Sequence, residues 1–236
     1  MPGRSELLDA MRPEDQALLR PHLNAVELSA GTVIYDPGEP VDHCYFPCGG
    51  AIASFYVLFD SGVAVETLMV GREGALGGVF GLDDMPAYAR SSVVHGGLFH
   101  RIRVAELERI KLASPSVRSV FSRYADCLLA QVFQSVACNA SHTIEQRAAK
   151  WLIAATKRIG RSDITMTQEQ LATMMGVGRS YASRVVQRFK ADGLVRTRRG
   201  GIEVADAAGL AQRACACDHQ LRRHYGAVLG PIHSSL

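Results

Sequence analysis

No apolar run in this 236-residue sequence approaches the ~18 residues that a membrane-spanning helix needs. The longest candidate, Cys127 to Ala140, is short and is interrupted by Gln131, Gln134 and Asn139. The opening MPGRSELLDAMRPEDQ has no apolar core, so no secretory signal is expected and the chain reads as cytoplasmic, with no membrane partner. Cysteine is sparse: there are six, spaced Cys44-x3-Cys48, Cys127 and Cys138 alone, and Cys215-x-Cys217. That count argues against a disulfide-stapled fold, and none of the spacings is the paired C-x2-C of a zinc site, so no metal ligands are assigned. The sequence also has no His-x-His, no His-Glu-x-x-His and no nucleophile elbow, and no catalytic residues are assigned.

What is present is an ordinary globular composition, 47% hydrophobic and 21% charged, in a chain long enough for two modest domains. The net charge of +3 hides an asymmetry. Residues 1–141 carry 11 Lys and Arg against 16 Asp and Glu, whereas residues 142–204 carry 12 against 5. A basic segment following an acidic one points to a polyanion-binding module.

Residues 4–22 read as short helices. From Val26 to about Arg103 the segments 51-AIASFYVLF-59 and 63-VAVETLMV-70, separated by the turns DPGEP, PCGG, DSG and GREG, read as short strands of a sandwich or rolled barrel. Pro115 opens a long helix to Ser141, where Val117, Val120, Tyr124, Cys127, Gln131 and Gln134 recur at near-heptad spacing. That stripe suits either a dimer seam or packing on the helix's own β domain. Thr143 with Gln146, and Thr167 with Gln170, are capping-box signatures for two further helices, the first ending at Gly160. The change of register near Ser141 divides the chain into domains 1–141 and 142–236.

The pair Gly176-Val177-Gly178 has the look of a phosphate loop. A dinucleotide fingerprint needs a third glycine where Tyr181 stands, and a strand rather than a helix before it; no Gly-Lys-Ser/Thr follows either. A helix–turn–helix fits instead: first helix 168–175, a turn at Gly176, and a second helix 179–191 capped by Gly178. Ala182, Val185, Val186 and Phe189 form its buried stripe. Arg179, Ser180, Ser183, Arg184 and Gln187 form the opposite, DNA-facing stripe, with Arg188 and Thr167 as further contacts. Two short strands, 194–198 and 201–204 about a Gly200-Gly201 turn, make a wing whose Arg196, Arg198 and Arg199 meet phosphates.

The order β-roll, long helix and "TQEQLATMMGVGRSYASRVVQRFKADGLV…RRGGIEV" resembles the CRP/FNR family of bacterial transcription regulators. The resemblance implies an α+β chain: a jelly roll like the cyclic-nucleotide-binding domain, residues 115–141 as dimerisation helix, and a winged helix–turn–helix. It also implies a homodimer on a two-fold DNA operator with half-sites about one helical turn apart, and RNA polymerase as a partner if the protein activates. Arg179 and Arg184 stand at the family's base-reading arginine positions, but Ser180 replaces a glutamate, so a different operator is expected. In 74-GALGGVFGLDDMPAYARSS-92, Arg90-Ser91 matches the phosphate-binding half of the family's nucleotide pocket. Gly77-Gly78 stands where Gly-Glu would bind the ribose, and Glu73 comes too early. Arg90, Ser91, Gly77 and Gly78 are therefore candidate effector residues; a cyclic nucleotide is doubtful and the cofactor is unassigned. With no cysteine before Cys44, the iron–sulfur cluster of the family's redox branch is not expected.

Two alternatives stand beside this reading. A metal-dependent, cupin-like enzyme would use a β-roll, but His43, His95 and His100 are scattered. A thiol redox sensor could use Cys44 and Cys48, unless they are buried hydrophobes. Cys215 and Cys217 could bind metal, yet Leu210, Ala214, Cys217 and Leu221 also follow a helical packing stripe.

Overall fold

The computed structural model describes residues 4–79 and 85–230. Residues 80–84, inside the 74–92 stretch, and residues 1–3 and 231–236, within the two expected domains, lie outside the described residues.

Helices α1 (Glu6–Asp9) and α2 (Pro13–Leu19) lead into strands β1 (Asn24–Leu28), β2 (Val33–Tyr35), β3 (His43–Pro47), β4 (Ile52–Leu58), β5 (Ala64–Val70), β6 (Arg90–His95) and β7 (Gly97–Arg103). They form two antiparallel sheets, ordered β1-β7-β3 and β2-β6-β4-β5. Alternate residues of each strand point inward, so Ala53, Val70, Val93 and Phe99 share one core between the sheets. The β-rich composition of residues 26–103 is thus resolved as a roll.

After α3 (Val104–Ala113), Ser114 caps α4 (Pro115–Ser141), its Oγ accepting from the Val117 N–H at 3.3 Å. The same hydroxyl donates to the buried Asp15 carboxylate at 2.7 Å, tying the cap to α2. The bounds of α4 are those the sequence suggests, but its sequence-derived seam faces inward. Val117, Tyr124, Cys127 and Gln131 are buried against the helix's own domain. Tyr124 Oη accepts from the Ala75 N–H and donates to its carbonyl, both at 2.9 Å, and Gln131 Nε2 donates to the Met69 carbonyl at 3.1 Å. Burying side chains of this size stabilises by about 1.5–3 kcal/mol each, which fixes this face of α4 to the roll. A different stripe is left uncovered: Leu129, Val132, Phe133 and Val136, spaced i, i+3, i+4, i+7, with Phe133 and Val136 64% and 65% exposed.

Residues 143–230 form α5 (Ile144–Ile159), β8 (Asp163–Thr165), α6 (Gln168–Met175), α7 (Arg179–Ala191), β9 (Val195–Arg198), β10 (Gly201–Val204), α8 (Ala207–Arg213) and α9 (Cys217–Leu229). Both capping boxes are made, at Thr143–Gln146 and Thr167–Gln170, and α5 stops at a left-handed Gly160. Strand β8 adds a third strand, giving the order β8-β10-β9; at three residues it is too short to show a period. The wing turn is Arg199-Gly200, not Gly200-Gly201, because Gly201 already pairs with Arg198. The single tail stripe proposed for Leu210 to Leu221 breaks between α8 and α9. Helix α9 then returns to α4, where Tyr225 Oη donates to Gln131 Oε1 at 3.1 Å. No helix among the described residues is long and apolar enough to cross a membrane.

The two halves meet along α5. Trp151 Nε1 donates to Glu66 Oε2 at 2.7 Å, and Ser54 Oγ donates to the other oxygen at 2.5 Å. Burial pushes the Glu66 carboxyl up to about 7, although both hydrogen bonds and the cations Lys150 and Arg158 favour its ionised form. Beside it, Arg158 Nε donates to Glu73 Oε1 at 2.7 Å in a largely buried ion pair. Burial opposes the Glu73 charge, but the guanidinium and the Gly71 N–H outweigh it and hold this carboxyl below the ordinary range.

Candidate nucleic-acid interface

Helix α6 ends where Gly176 adopts φ +65°, a left-handed conformation that favours glycine. Its N–H and that of Val177 close the turn on the carbonyls of Thr173 and Ala172. Gly178 then starts α7 with no side-chain cap. Along α7, Ala182, Val185, Val186 and Phe189 are all buried, and the last three share a core with Leu171, Met174 and Met175 of α6 and with Trp151 and Leu152 of α5. A helix held along one side presents the other. Arg179, Ser180, Arg184 and Gln187 are exposed and Ser183 is half-buried on that outward face.

The remaining sequence-derived contacts are placed less uniformly. Arg188 is exposed but turned aside, its Nη1 donating to Glu145 at 3.2 Å. Thr167 lies at the exposed start of α6, its Oγ1 accepting from the Gln170 N–H at 3.1 Å. On the wing, Arg199 is exposed at the turn, and Arg198 donates to Glu203 on the paired strand at 2.8 Å. One neighbour was not singled out from sequence as a contributor to this face. The Arg184 guanidinium lies 5.2 Å from the ring centroid of Tyr181, three residues before it. That i, i+3 aromatic–arginine spacing is the signal that could have found it.

Residues 146–213 match the model of the Crp-like helix-turn-helix domain. The transcriptional regulatory protein btr of Bordetella pertussis is 23% identical over 79% of this chain and 79% of its own length. A CRP-like cAMP-activated global transcriptional regulator of Mycobacterium tuberculosis is 22% identical over 90% of this chain and 97% of its own. A crystal structure described as a regulator of the crp/fnr family, from Eubacterium rectale, superposes with a TM-score of 0.68 at 17% identity, covering 88% of this chain and 96% of that one. Residues 146–213 are thus a Crp-like helix-turn-helix domain, and most of the chain is similar in sequence and fold to CRP/FNR-type regulators.

The four candidate effector residues are not brought to one place. Gly77 and Gly78 line a cavity of about 270 Å³ in the roll, with Tyr35, Phe55, Met85 and Leu128 among its mostly apolar walls. Both glycines have left-handed backbones, at φ +82° and +61°, and a Cβ on Gly77 would lie 2.5 Å from the His43 carbonyl oxygen. Lys111 Nζ donates to the Gly78 carbonyl at 2.6 Å, holding this turn against α3. Arg90 lies off the cavity, its Nε donating to Asp36 at 2.5 Å, and Ser91 is buried in register with Tyr35. Glu73 belongs to the α5 seam. Cys44 and Cys48 are buried, and burial pushes both thiols up, Cys48 to about 11, which makes the reactive thiolate scarce. His43, His95 and His100 form no metal-binding group among the described residues.

Proposed function

We propose that the protein is a homodimeric, sequence-specific DNA-binding transcription regulator whose two α7 helices read adjacent major grooves of a two-fold operator. The observation that carries this reading is the one-sided burial of α7, with every residue of its apolar stripe covered and its Arg, Ser and Gln face open. Arg179 and Arg184 are the base-reading side chains, and Ser180, Ser183 and Gln187 complete the readout. Thr167, Arg188, Arg198 and Arg199 set the register on phosphates. The uncovered Leu129–Val136 stripe of α4 is the dimer seam, in place of the inward-facing Tyr124 stripe. Domains 1–141 and 142–236 remain the functional division, with α9 reaching back across it.

The roll receives the signal. Among the described residues that line its cavity there is no guanidinium or carboxylate, and Arg90 is held off it in an ion pair with Asp36. These features support an uncharged effector over a cyclic nucleotide.

Equilibrium binding to duplex DNA, followed by fluorescence anisotropy across a range of salt, tests the function. Affinity is expected to fall linearly in log–log form as counterions are released. Absent or salt-independent binding would defeat the proposal.

A further inference from the structure

We propose that Cys138, His142, Cys215 and Cys217 form a tetrahedral site for a single zinc-class divalent ion at the hinge between α4 and α5. Cys138 and His142 lie one turn apart at the end of α4, and Cys215 and Cys217 bracket the start of α9. The fold brings these pairs together across some 75 residues. Cys138 Sγ lies 3.6 Å from Cys215 Sγ, and Cys217 Sγ lies 3.6 Å from His142 Nδ1. All four ligand atoms fall within 4.8 Å of one another.

These distances are the edges of a single-ion tetrahedron. With Zn–S near 2.3 Å and Zn–N near 2.0–2.1 Å, tetrahedral geometry separates two sulfurs by about 3.8 Å and sulfur from nitrogen by about 3.6 Å. A disulfide requires about 2.05 Å between sulfurs. Packing alone is a poor account of the cluster. The three buried cysteines form a group of their own, separate from the apolar cores on either side, and a half-buried imidazole completes it. Cys215 and Cys217 also lie beyond residue 213, where the match to the Crp-like domain ends.

The surroundings suit a charged complex. Three thiolates and a neutral imidazole on a divalent ion carry one net negative charge, and Lys150 Nζ lies 3.3 Å from Cys138 Sγ to offset it. Binding releases the three thiol protons and involves no change of oxidation state. The ion would bind the last turn of α4, the hinge residue His142 and the start of α9 into one unit.

The test uses the full chain, purified under reducing conditions, stripped with a chelator and titrated with Co²⁺ and then Zn²⁺. One equivalent of Co²⁺ is expected to give the intense visible bands of a tetrahedral site and a thiolate charge-transfer band. One equivalent of Zn²⁺ should bleach both and raise the melting temperature. Cys215→Ser and Cys217→Ser should lose these bands, while Cys48→Ser, a substitution within the roll, should keep them. The wild-type cobalt spectrum decides the matter even if a variant fails to fold. The proposal is overturned by absence of saturable cobalt binding to the reduced wild type, by an unchanged spectrum in folded Cys215→Ser or Cys217→Ser, or by iron with inorganic sulfide in the protein as isolated. A Cys138–Cys215 disulfide persisting under the same reducing conditions would overturn it as well.

Discussion

In the proposed readout of DNA, Arg184 is the residue whose loss has the most direct consequence. It projects from the open face of α7 and is braced over the Tyr181 ring. Arg184→Ala should weaken specific binding by about 1–3 kcal/mol, as for loss of a bidentate base contact, while leaving non-specific affinity nearly intact. Competitive anisotropy with specific and scrambled duplexes separates the two effects. A second residue-scale prediction concerns Glu66 and Trp151, the only tryptophan in the sequence. The folded Glu66 carboxyl titrates near 7 and the unfolded one near its ordinary ~4.3. The folded state therefore holds more protons between these values. The stability contributed by Glu66 is complete below the lower value and is lost as pH rises through about 7. Trp151 emission should shift with a midpoint near pH 7, and Glu66→Gln should remove that transition. An unchanged transition in the variant would separate the emission change from this carboxyl. Glu73 acts in the opposite sense: its contribution is present above the ordinary carboxylate range and is lost only as pH falls through its depressed value.

Among the elements, α4 and α5 carry the consequences. Phe133→Asp or Val136→Asp should leave the roll folded, because neither side chain packs into it, yet dissociate the dimer; sedimentation velocity reads this directly. Persistence of a dimer in both variants would move the seam elsewhere. Arg158→Ala should destabilise by about 3–5 kcal/mol, since it leaves Glu73 buried without its partner; urea denaturation measures the change. How far the elements were legible in the sequence depended on how local each signal was. Thr143, Thr167, Gly160 and Gly176 mark helix ends through contacts within a few residues, and those ends are found where sequence places them. The length of α4 was equally legible, but not its orientation. The helix has two apolar stripes, through Tyr124 and through Phe133, and periodicity cannot say which one meets the roll. Arg90 and Ser91 show the opposite case. Adjacent residues on a strand point to opposite faces, so sequence alone could have cast doubt on a shared pocket. The Cys138–Cys217 cluster was beyond local reading, because its members become neighbours only when α9 folds back on α4.

At the scale of the whole molecule, the DNA-binding half is not a free appendage. Gly176, in the turn before α7, lies against Val65 of β5, and Trp151 and Arg158 hold α5 to the β4–β5 side of the roll. A ligand that shifts β5 can therefore shift the pose of α7, provided it binds the two poses with different affinity. In the proposed dimer, geometry and operator spacing are inseparable, since paired α4 helices would carry both α7 helices. Selection of binding sites from a random duplex pool, using purified full-length protein, tests this central claim most directly. The account predicts an enriched two-fold symmetric motif with half-site centres about 10–10.5 base pairs apart, lost when Arg184→Ala protein is used. A pool that yields no motif, or the same motif with Arg184→Ala, would contradict it.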